Sequence, residues 1–236
     1  MAATPEAPLA APRRLAPVPL VVDTLELGPI GTNCHVVRPG GDATEAVVVD
    51  PSGSEAEIRL HLASLGARCT AILVTHCHWD HFLGLSELAA GTGAPVWLPR
   101  GEEQVFRSPG DFYAGIGIAV PAYDGEATFV AGGETIVAAG VSFAVAAVPG
   151  HSPGHVAYHA EGHLFSGDVL FAGGVGRVDL PGGDWQTLLG SVETLLAAYP
   201  PETVVHSGHG PDTTLGAELQ RNPFLAELRT ERASGN

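Results

Sequence analysis

The stretch VTHCHWDHFLG, residues 74–84, carries four side chains of metal-binding type within six positions. Three are histidines and one is an aspartate, namely His76, His78, Asp80 and His81. Imidazole nitrogens and a carboxylate together form a ligand set that suits Zn, Fe or Mn. Because a merely solvated turn seldom concentrates so many such groups, the stretch predicts a metal site.

The flanking segments place this stretch in a turn. AILVT (71–75) is apolar and rich in β-branched residues, which predicts a buried strand, and LGLSELAAG (83–91) has the pattern of a helix. The turn between the carboxyl end of a strand and a helix is where α/β folds commonly place their chemistry.

Four residues in one turn cannot surround a metal alone, and three later motifs supply further candidates. PGHSPGH contains His151, FSGD ends on Asp168, and VVHSGHGP contains His209. Each candidate follows an apolar run that predicts a strand, and the neighbouring glycines permit close approach of the backbone. The sequence therefore offers seven candidate ligands.

Short runs rich in Val and Ile alternate with helical patterns in both halves of the chain. The predicted strands are 21–27, 33–37, 46–50, 71–75, 95–99, 141–148 and a hairpin of 155–160 with 163–168. Helices are predicted after Ser54 and after Asp184, which is placed as an N-cap. This repeated order predicts an α/β fold in which two sheets pack face to face with helices outside.

Composition limits the class of protein. The 236 residues, 45% of them hydrophobic and without a fixed repeat, predict one domain over 18–236 after a flexible Ala/Pro-rich extension over 1–17. The net charge of −15, with no lysine, predicts no binding to nucleic acid or to an anionic membrane. No apolar run approaches the roughly 20 residues of a membrane helix. Three irregularly spaced cysteines favour a reducing cytoplasm.

Taken in order, these four metal-binding blocks resemble the metallo-β-lactamase superfamily, whose signature is HxHxDH followed by one His, one Asp and one His. The resemblance covers residues 18–236 and implies an αββα sandwich with a two-metal site at one edge. It also implies that a first metal is held by His76, His78 and His151. A second metal would be held by Asp80, His81 and His209, and Asp168 would bridge the two.

The match is narrower still, because THCHWDH with Trp79, PGHSPGH, SGD and GHGPDTTLGAELQRNPF resemble the small glyoxalase II-like hydrolases. This resemblance implies two divalent metals, with zinc preferred over iron or manganese, and a hydroxide between them that attacks a carbonyl. A thiolate can depart unprotonated at neutral pH, so the implied substrate is a small-molecule thioester such as S-lactoylglutathione. The implied catalytic residues are Asp168 and Asp80. Asp80 would either position the hydroxide or take its proton.

Other residues near these motifs have supporting roles. Asp50, in VVVDP, matches an aspartate that the superfamily usually keeps beside the metal loop, where it would orient ligands or loop amides. His155 is expected to hydrogen-bond near the site, and Cys77 to point away from the ligands on either side of it. The remaining histidines lack a ligand-like context and are expected to be surface or satisfied core residues; they are His35, His61, His159, His163 and His206.

The segment GRVDLPGGD bears on the substrate. Arg177 stands where two-domain glyoxalase II enzymes have a lysine, and Asp179 where they have a tyrosine, and both of those residues bind glutathione. With no lysine in the chain, the glutathione pocket is incomplete or different. Arg177 either binds a substrate carboxylate or pairs with Asp179, and the sequence leaves both open.

Rival functions share the same fold. The GRxD segment also resembles persulfide dioxygenases, which use one iron and oxygen, although Trp79 and the GHGP motif favour the hydrolase. The bridging Asp168 disfavours a β-lactamase, whereas a lactonase shares all seven ligands and stays open. A monomer or homodimer is expected.

Overall fold

The computed structural model describes residues 19–113 and 119–234, and two six-stranded sheets form its centre. The predicted extension over 1–17 lies outside the described residues. Side by side in chain order, the first sheet contains β1 (Val21–Leu27), β2 (Thr32–Arg38), β3 (Glu45–Val49), β4 (Arg68–Leu73), β5 (Val96–Pro99) and β6 (Thr128–Val130). The later strands are β7 (Thr135–Ala138), β8 (Val141–Ala147), β9 (Val156–Ala160), β10 (His163–Gly167), β11 (Leu170–Phe171), β12 (Gly174–Val175), β13 (Val204–Ser207) and β14 (Thr213–Thr214).

Both sheets are mixed. In the first, β3 to β6 run parallel, while β1 and β2 are antiparallel to their neighbours. The second has the order β14-β13-β10-β9-β8-β7, in which β10 and β13 are parallel; β11 and β12 form a separate hairpin. Parallel pairing puts the carboxyl ends of β3 and β4 side by side, and likewise those of β10 and β13. The segments that follow these ends carry most of the candidate ligands.

The helices cover the outer faces of the sheets. They are α1 (Glu55–Ser64), α2 (Leu85–Thr92), α3 (Glu103–Arg107), α4 (Pro109–Tyr113), α5 (Trp185–Ala198), α6 (Leu215–Arg221) and α7 (Ala226–Ser234), with short 3₁₀ helices at Trp79–His81, Arg100–Glu102 and Pro223–Leu225. In the part of the chain that the structure describes, no helix is long and apolar enough to cross a membrane.

Alternation of side chains along the strands builds the layers. Val47 and Val49 of β3 pack with Phe165 of β10 between the sheets, whereas Val48 faces outward and packs with Ile58 of α1. A third cluster joins the outer face of the second sheet to α5 and α6. The predicted αββα sandwich is therefore confirmed.

Local details show why the first candidate ligands leave the sheet. The predicted strand 71–75 is instead Arg68–Leu73, so it begins earlier and ends two residues sooner. The Thr75 amide donates to Asp50 Oδ1 at 2.7 Å rather than to a neighbouring strand. Elsewhere, Asp184 caps α5 as predicted, with its side chain accepting from the Thr187 amide.

Candidate metal centre

The Asp50 carboxylate organises the turn after β4. Its Oδ2 accepts from Thr75 Oγ1 at 2.8 Å and lies 2.9 Å from His81 Nδ1, while its Oδ1 accepts from the Thr75 amide. The Asp50 backbone has φ of 52°, a left-handed conformation that is uncommon outside glycine and is often found at functional sites. Its predicted role of orienting ligands and loop amides agrees with these contacts.

Three buried histidines bring their ring nitrogens together in a first group. His78 Nδ1 lies 3.1 Å from His76 Nε2 and 2.7 Å from His151 Nε2. The other nitrogens of two of these rings are already engaged, because His151 Nδ1 donates to the Arg177 carbonyl at 2.7 Å and His76 Nδ1 lies 3.0 Å from Thr75 Oγ1. The Thr75 hydroxyl donates its proton to Asp50, so the Thr75 oxygen accepts a hydrogen bond from His76 Nδ1.

In neutral rings, His76 and His151 already carry their proton on Nδ1, so their Nε2 atoms carry none. Of the three converging nitrogens, only His78 Nδ1 can then carry a proton. Burial lowers the pKa of His76 well below its usual range and that of His78 to about 3, and it also lowers the pKa of His151. Unprotonated imidazoles at neutral pH present lone pairs, which is what a bound metal cation requires. The donors of this group fit a metal such as zinc, iron or manganese.

A second group combines carboxylates with histidines. His81 Nε2 lies 3.3 Å from Asp80 Oδ2, and His209 Nε2 lies 3.4 Å from the same oxygen. Thr32 Oγ1 donates to Asp80 Oδ2 at 2.7 Å and fixes that carboxylate. The potential ligand atoms of Asp80, His81 and His209 all lie within 4.8 Å of one another, as a single ion requires.

The electrostatics of this group favour positive charge. Burial lowers the pKa of His81, but the neighbouring Asp168 and Asp80 carboxylates outweigh it and raise that pKa well above its usual value. Burial likewise opposes protonation of His209, but hydrogen bonds to the same two carboxylates raise its pKa to about 9. Metal binding at such a group displaces protons, so affinity increases with pH.

Asp168 lies between the two groups. Its Oδ1 is 3.3 Å from His81 Nε2, and its Oδ2 is 3.5 Å from both His151 Nε2 and His209 Nε2. Buried His81 Nε2 and Asp168 Oδ1 have no conventional hydrogen-bond partner. A metal ion bound between these two atoms would satisfy both of them. All seven candidates thus meet at one site.

A pocket of about 610 Å³ opens onto both groups. Candidate ligands from each group line it, together with Trp79 and several other apolar side chains. Arg177 also lines the pocket, and its guanidinium makes two hydrogen bonds of 2.7 Å to the Asp179 carboxylate. Of the two roles left open for Arg177, the structure therefore contains the pairing with Asp179.

The family follows from comparison with known proteins. Residues 27–209 match the sequence profile of the metallo-beta-lactamase superfamily. The chain belongs to this superfamily. Hydroxyacylglutathione hydrolase GloC of Haemophilus influenzae is 32% identical over 197 residues, covering 82% of this chain and 92% of that protein. The superfamily match and this relative support a metal-dependent hydrolase.

Solved structures of the metallo-β-lactamase superfamily agree with the fold. The BLEG-1 B3 metallo-beta-lactamase has a TM-score of 0.81 and 36% identity, and the match covers 87% of this chain and all of that one. TTHA1623 in a di-iron-bound form has a TM-score of 0.77 and 36% identity, covering 86% of this chain and all of that one.

The structure also shows the positions of the other residues considered in the sequence. His155 Nε2 accepts from the Asp168 amide at 3.1 Å, and its ring stacks on His76 with centroids 4.5 Å apart. Cys77 is buried in the core between the first sheet and its helices, away from the candidate ligands. His206 and His163 hydrogen-bond to each other at 2.9 Å, as expected for satisfied histidines outside the site.

Glu102 was missed by sequence reasoning although it supports the first group. This side chain is 3% exposed, and its Oε1 accepts from the Gly154 amide at 2.9 Å while Oε2 accepts from the Cys77 amide. Cys77 lies between two candidate ligands, and Gly154 lies in the loop of His151. One carboxylate therefore ties both loops together. In the sequence GEEQ, nothing distinguishes it from Glu103.

Replacing Glu102 with glutamine should weaken metal binding about 10- to 100-fold, the usual cost of losing support behind a metal ligand. An amide has only one acceptor oxygen, so its NH₂ would face one of the two backbone amides. Competition against a chromophoric chelator measures the affinity, and Glu103→Gln is the matched control that should retain it. Wild-type affinity in Glu102→Gln would show that the loops hold their positions without this carboxylate.

Proposed function

We propose that this chain is a hydrolase that uses two divalent metal ions to cleave a small-molecule thioester. The observation that carries the proposal is the position of the Asp168 carboxylate, which faces the first group through His151 and the second through His81 and His209. We assign His76, His78 and His151 to the first ion, Asp80, His81 and His209 to the second, and Asp168 to both.

The protein residues have distinct roles in this scheme. Two bound divalent ions would supply a nucleophile by lowering the pKa of water and would polarise the carbonyl of the substrate. Burial raises the pKa of Asp80, but its interactions with His81 and His209 outweigh this and hold it at about 2. The ionised Asp80 can therefore orient the attacking water, whereas so low a pKa makes it a weak proton acceptor. Asp50 and His155 hold His81 and the Asp168 backbone in place.

The choice of a thioester rests on chemistry and on one relative. A thiolate departs without needing a proton, and a general acid near the leaving group is therefore not required of this site. The similar protein from Haemophilus influenzae is named a hydroxyacylglutathione hydrolase. For the metal we propose zinc, with iron or manganese as alternatives; the solved relative TTHA1623 is a di-iron form.

β-Lactam hydrolysis is a second candidate. The observation that favours it is the 36% identity to BLEG-1, whose structure is described as a B3 metallo-beta-lactamase. An amide nitrogen leaves less readily than a thiolate, so this reaction makes a greater demand on proton delivery.

Hydrolysis of S-lactoylglutathione by zinc-loaded protein tests the proposal against this alternative. We expect turnover that is detectable but saturates weakly, since metal-centred chemistry is present and the lysine contacts to glutathione are absent. A chromogenic cephalosporin in parallel measures β-lactamase activity. Cleavage of the cephalosporin, without hydrolysis of S-lactoylglutathione or of any neutral thioester, would reject thioester hydrolysis in favour of the second candidate.

Arg177→Ala should leave both the melting temperature and the hydrolysis of neutral thioesters unchanged. The Arg177 and Asp179 side chains are 63% and 68% exposed, and ion pairs in that setting contribute little to stability. A lowered melting temperature would show that the pair braces the loop, whereas a selective loss on anionic thioesters would show that Arg177 binds a substrate carboxylate.

A further inference from the structure

Apolar side chains form most of the pocket around the reacting groups. Ile30 comes from the loop between β1 and β2, Phe112 from α4, Phe171 and Val175 from the β11–β12 hairpin, and Leu180 from the segment that follows it. Ile30 is 55% exposed, which leaves an isoleucine open to solvent at the pocket. Carbon surface in a pocket of about 610 Å³ favours a ligand that buries carbon against it.

Outside the candidate metal ligands, positive charge is nearly absent from the described part of this surface. Among the described residues that line the pocket, Arg177 is the one arginine, and both of its hydrogen bonds go to the Asp179 carboxylate. A substrate carboxylate would have to compete with Asp179 for that guanidinium. Without it, the carboxylate would lose its hydrating water and gain no hydrogen-bond partner, which is unfavourable.

Building on the proposed thioester hydrolysis, we infer that the pocket selects uncharged thioesters with apolar acyl groups and discriminates against glutathione thioesters. Glutathione carries two carboxylates, and Arg177, the one guanidinium among the described pocket residues, is already paired with Asp179. An alkyl chain, in contrast, can lie against Ile30, Phe112 and Phe171.

Matched thioesters separate the effects of thiol and acyl group. S-acetyl-N-acetylcysteamine and S-acetylglutathione share the acyl group and differ in the charge of the thiol. S-hexanoyl-N-acetylcysteamine keeps the neutral thiol and lengthens the chain. With zinc-loaded protein, we expect kcat/KM to be about tenfold or more higher for the neutral acetyl thioester than for S-acetylglutathione. Each added methylene should raise kcat/KM by about threefold until the pocket is filled.

A variant at the pocket should reverse this preference. Ile30→Lys places a cation on an exposed loop position, so we expect faster hydrolysis of S-acetylglutathione and slower hydrolysis of the hexanoyl thioester. Opposite changes on two substrates cannot arise from misfolding. Val137→Lys is the matched control, because Val137 is 69% exposed on β7 and lies outside the pocket. It should leave both rates unchanged.

The outcomes separate this inference from the proposed function. Equal or faster hydrolysis of S-acetylglutathione, without any gain from the longer chain, would overturn the apolar specificity while leaving thioester hydrolysis intact. Failure to cleave any of the three thioesters would overturn the proposed function, and the inference with it.

Discussion

Asp168→Ala should reduce thioester kcat/KM on the order of a thousandfold and lower the metal content from two ions per chain to one or fewer. Among the described residues, Asp168 is the one side chain whose oxygens lie within 3.5 Å of histidines from both groups, so its loss removes a ligand from each proposed ion. The contribution of a catalytic metal to transition-state stabilisation is several kcal/mol, which corresponds to this change in rate.

Asp42→Ala is the matched control for this variant, since Asp42 is exposed and outside the pocket. It should retain wild-type activity and metal content. Circular dichroism of Asp168→Ala should show an intact fold, because the sandwich packs around apolar clusters that do not include this carboxylate. Unchanged turnover in a folded Asp168→Ala protein would refute the two-metal mechanism.

Gly208→Ala should remove the second metal and reduce activity about a hundredfold or more, although the substitution adds only one methyl group. An added Cβ would lie 2.2 Å from Asp168 Oδ1 and 2.4 Å from His81 Cε1, well inside van der Waals contact. The backbone cannot readily retreat, because the Gly208 amide donates to the Gly167 carbonyl and its carbonyl accepts from the Asn33 amide. Displacement of the His81 and Asp168 side chains would weaken metal binding.

Gly190→Ala supplies the control for this substitution. Gly190 lies within α5, and a Cβ there would meet no atom within 4 Å. Alanine should keep full activity and raise the melting temperature slightly, since glycine in a helix interior costs about 1 kcal/mol relative to alanine. Two metal ions and normal turnover in Gly208→Ala would show that Asp168 and His81 can move without loss of function, against the geometry proposed here.

Much of the candidate site could be predicted because its signal is local. His76, His78, Asp80 and His81 lie close together in sequence, and each later candidate follows an apolar run that ends in a glycine-containing turn. Strand ends of parallel pairs then bring these segments together. The short runs rich in Val and Ile, and their repeated order with helical patterns, likewise predicted the strands and the two packed sheets.

Features that depend on tertiary packing could not be predicted in the same way. Glu102 is buried only because two distant loops close over it, and its neighbour Glu103 is chemically identical in sequence. The apolar pocket joins Ile30 to Phe171 across more than half of the chain. The end of β4 depends on a contact between Thr75 and Asp50 that no local pattern shows.

The central claim, a hydrolase with two metal ions, is tested most directly by elemental analysis of protein purified without added metal. Mass spectrometry of the metals gives their number per chain. We expect two equivalents in total of zinc, iron or manganese, with zinc preferred. A single equivalent of iron, retained at full activity, would contradict it and favour the mononuclear dioxygenase.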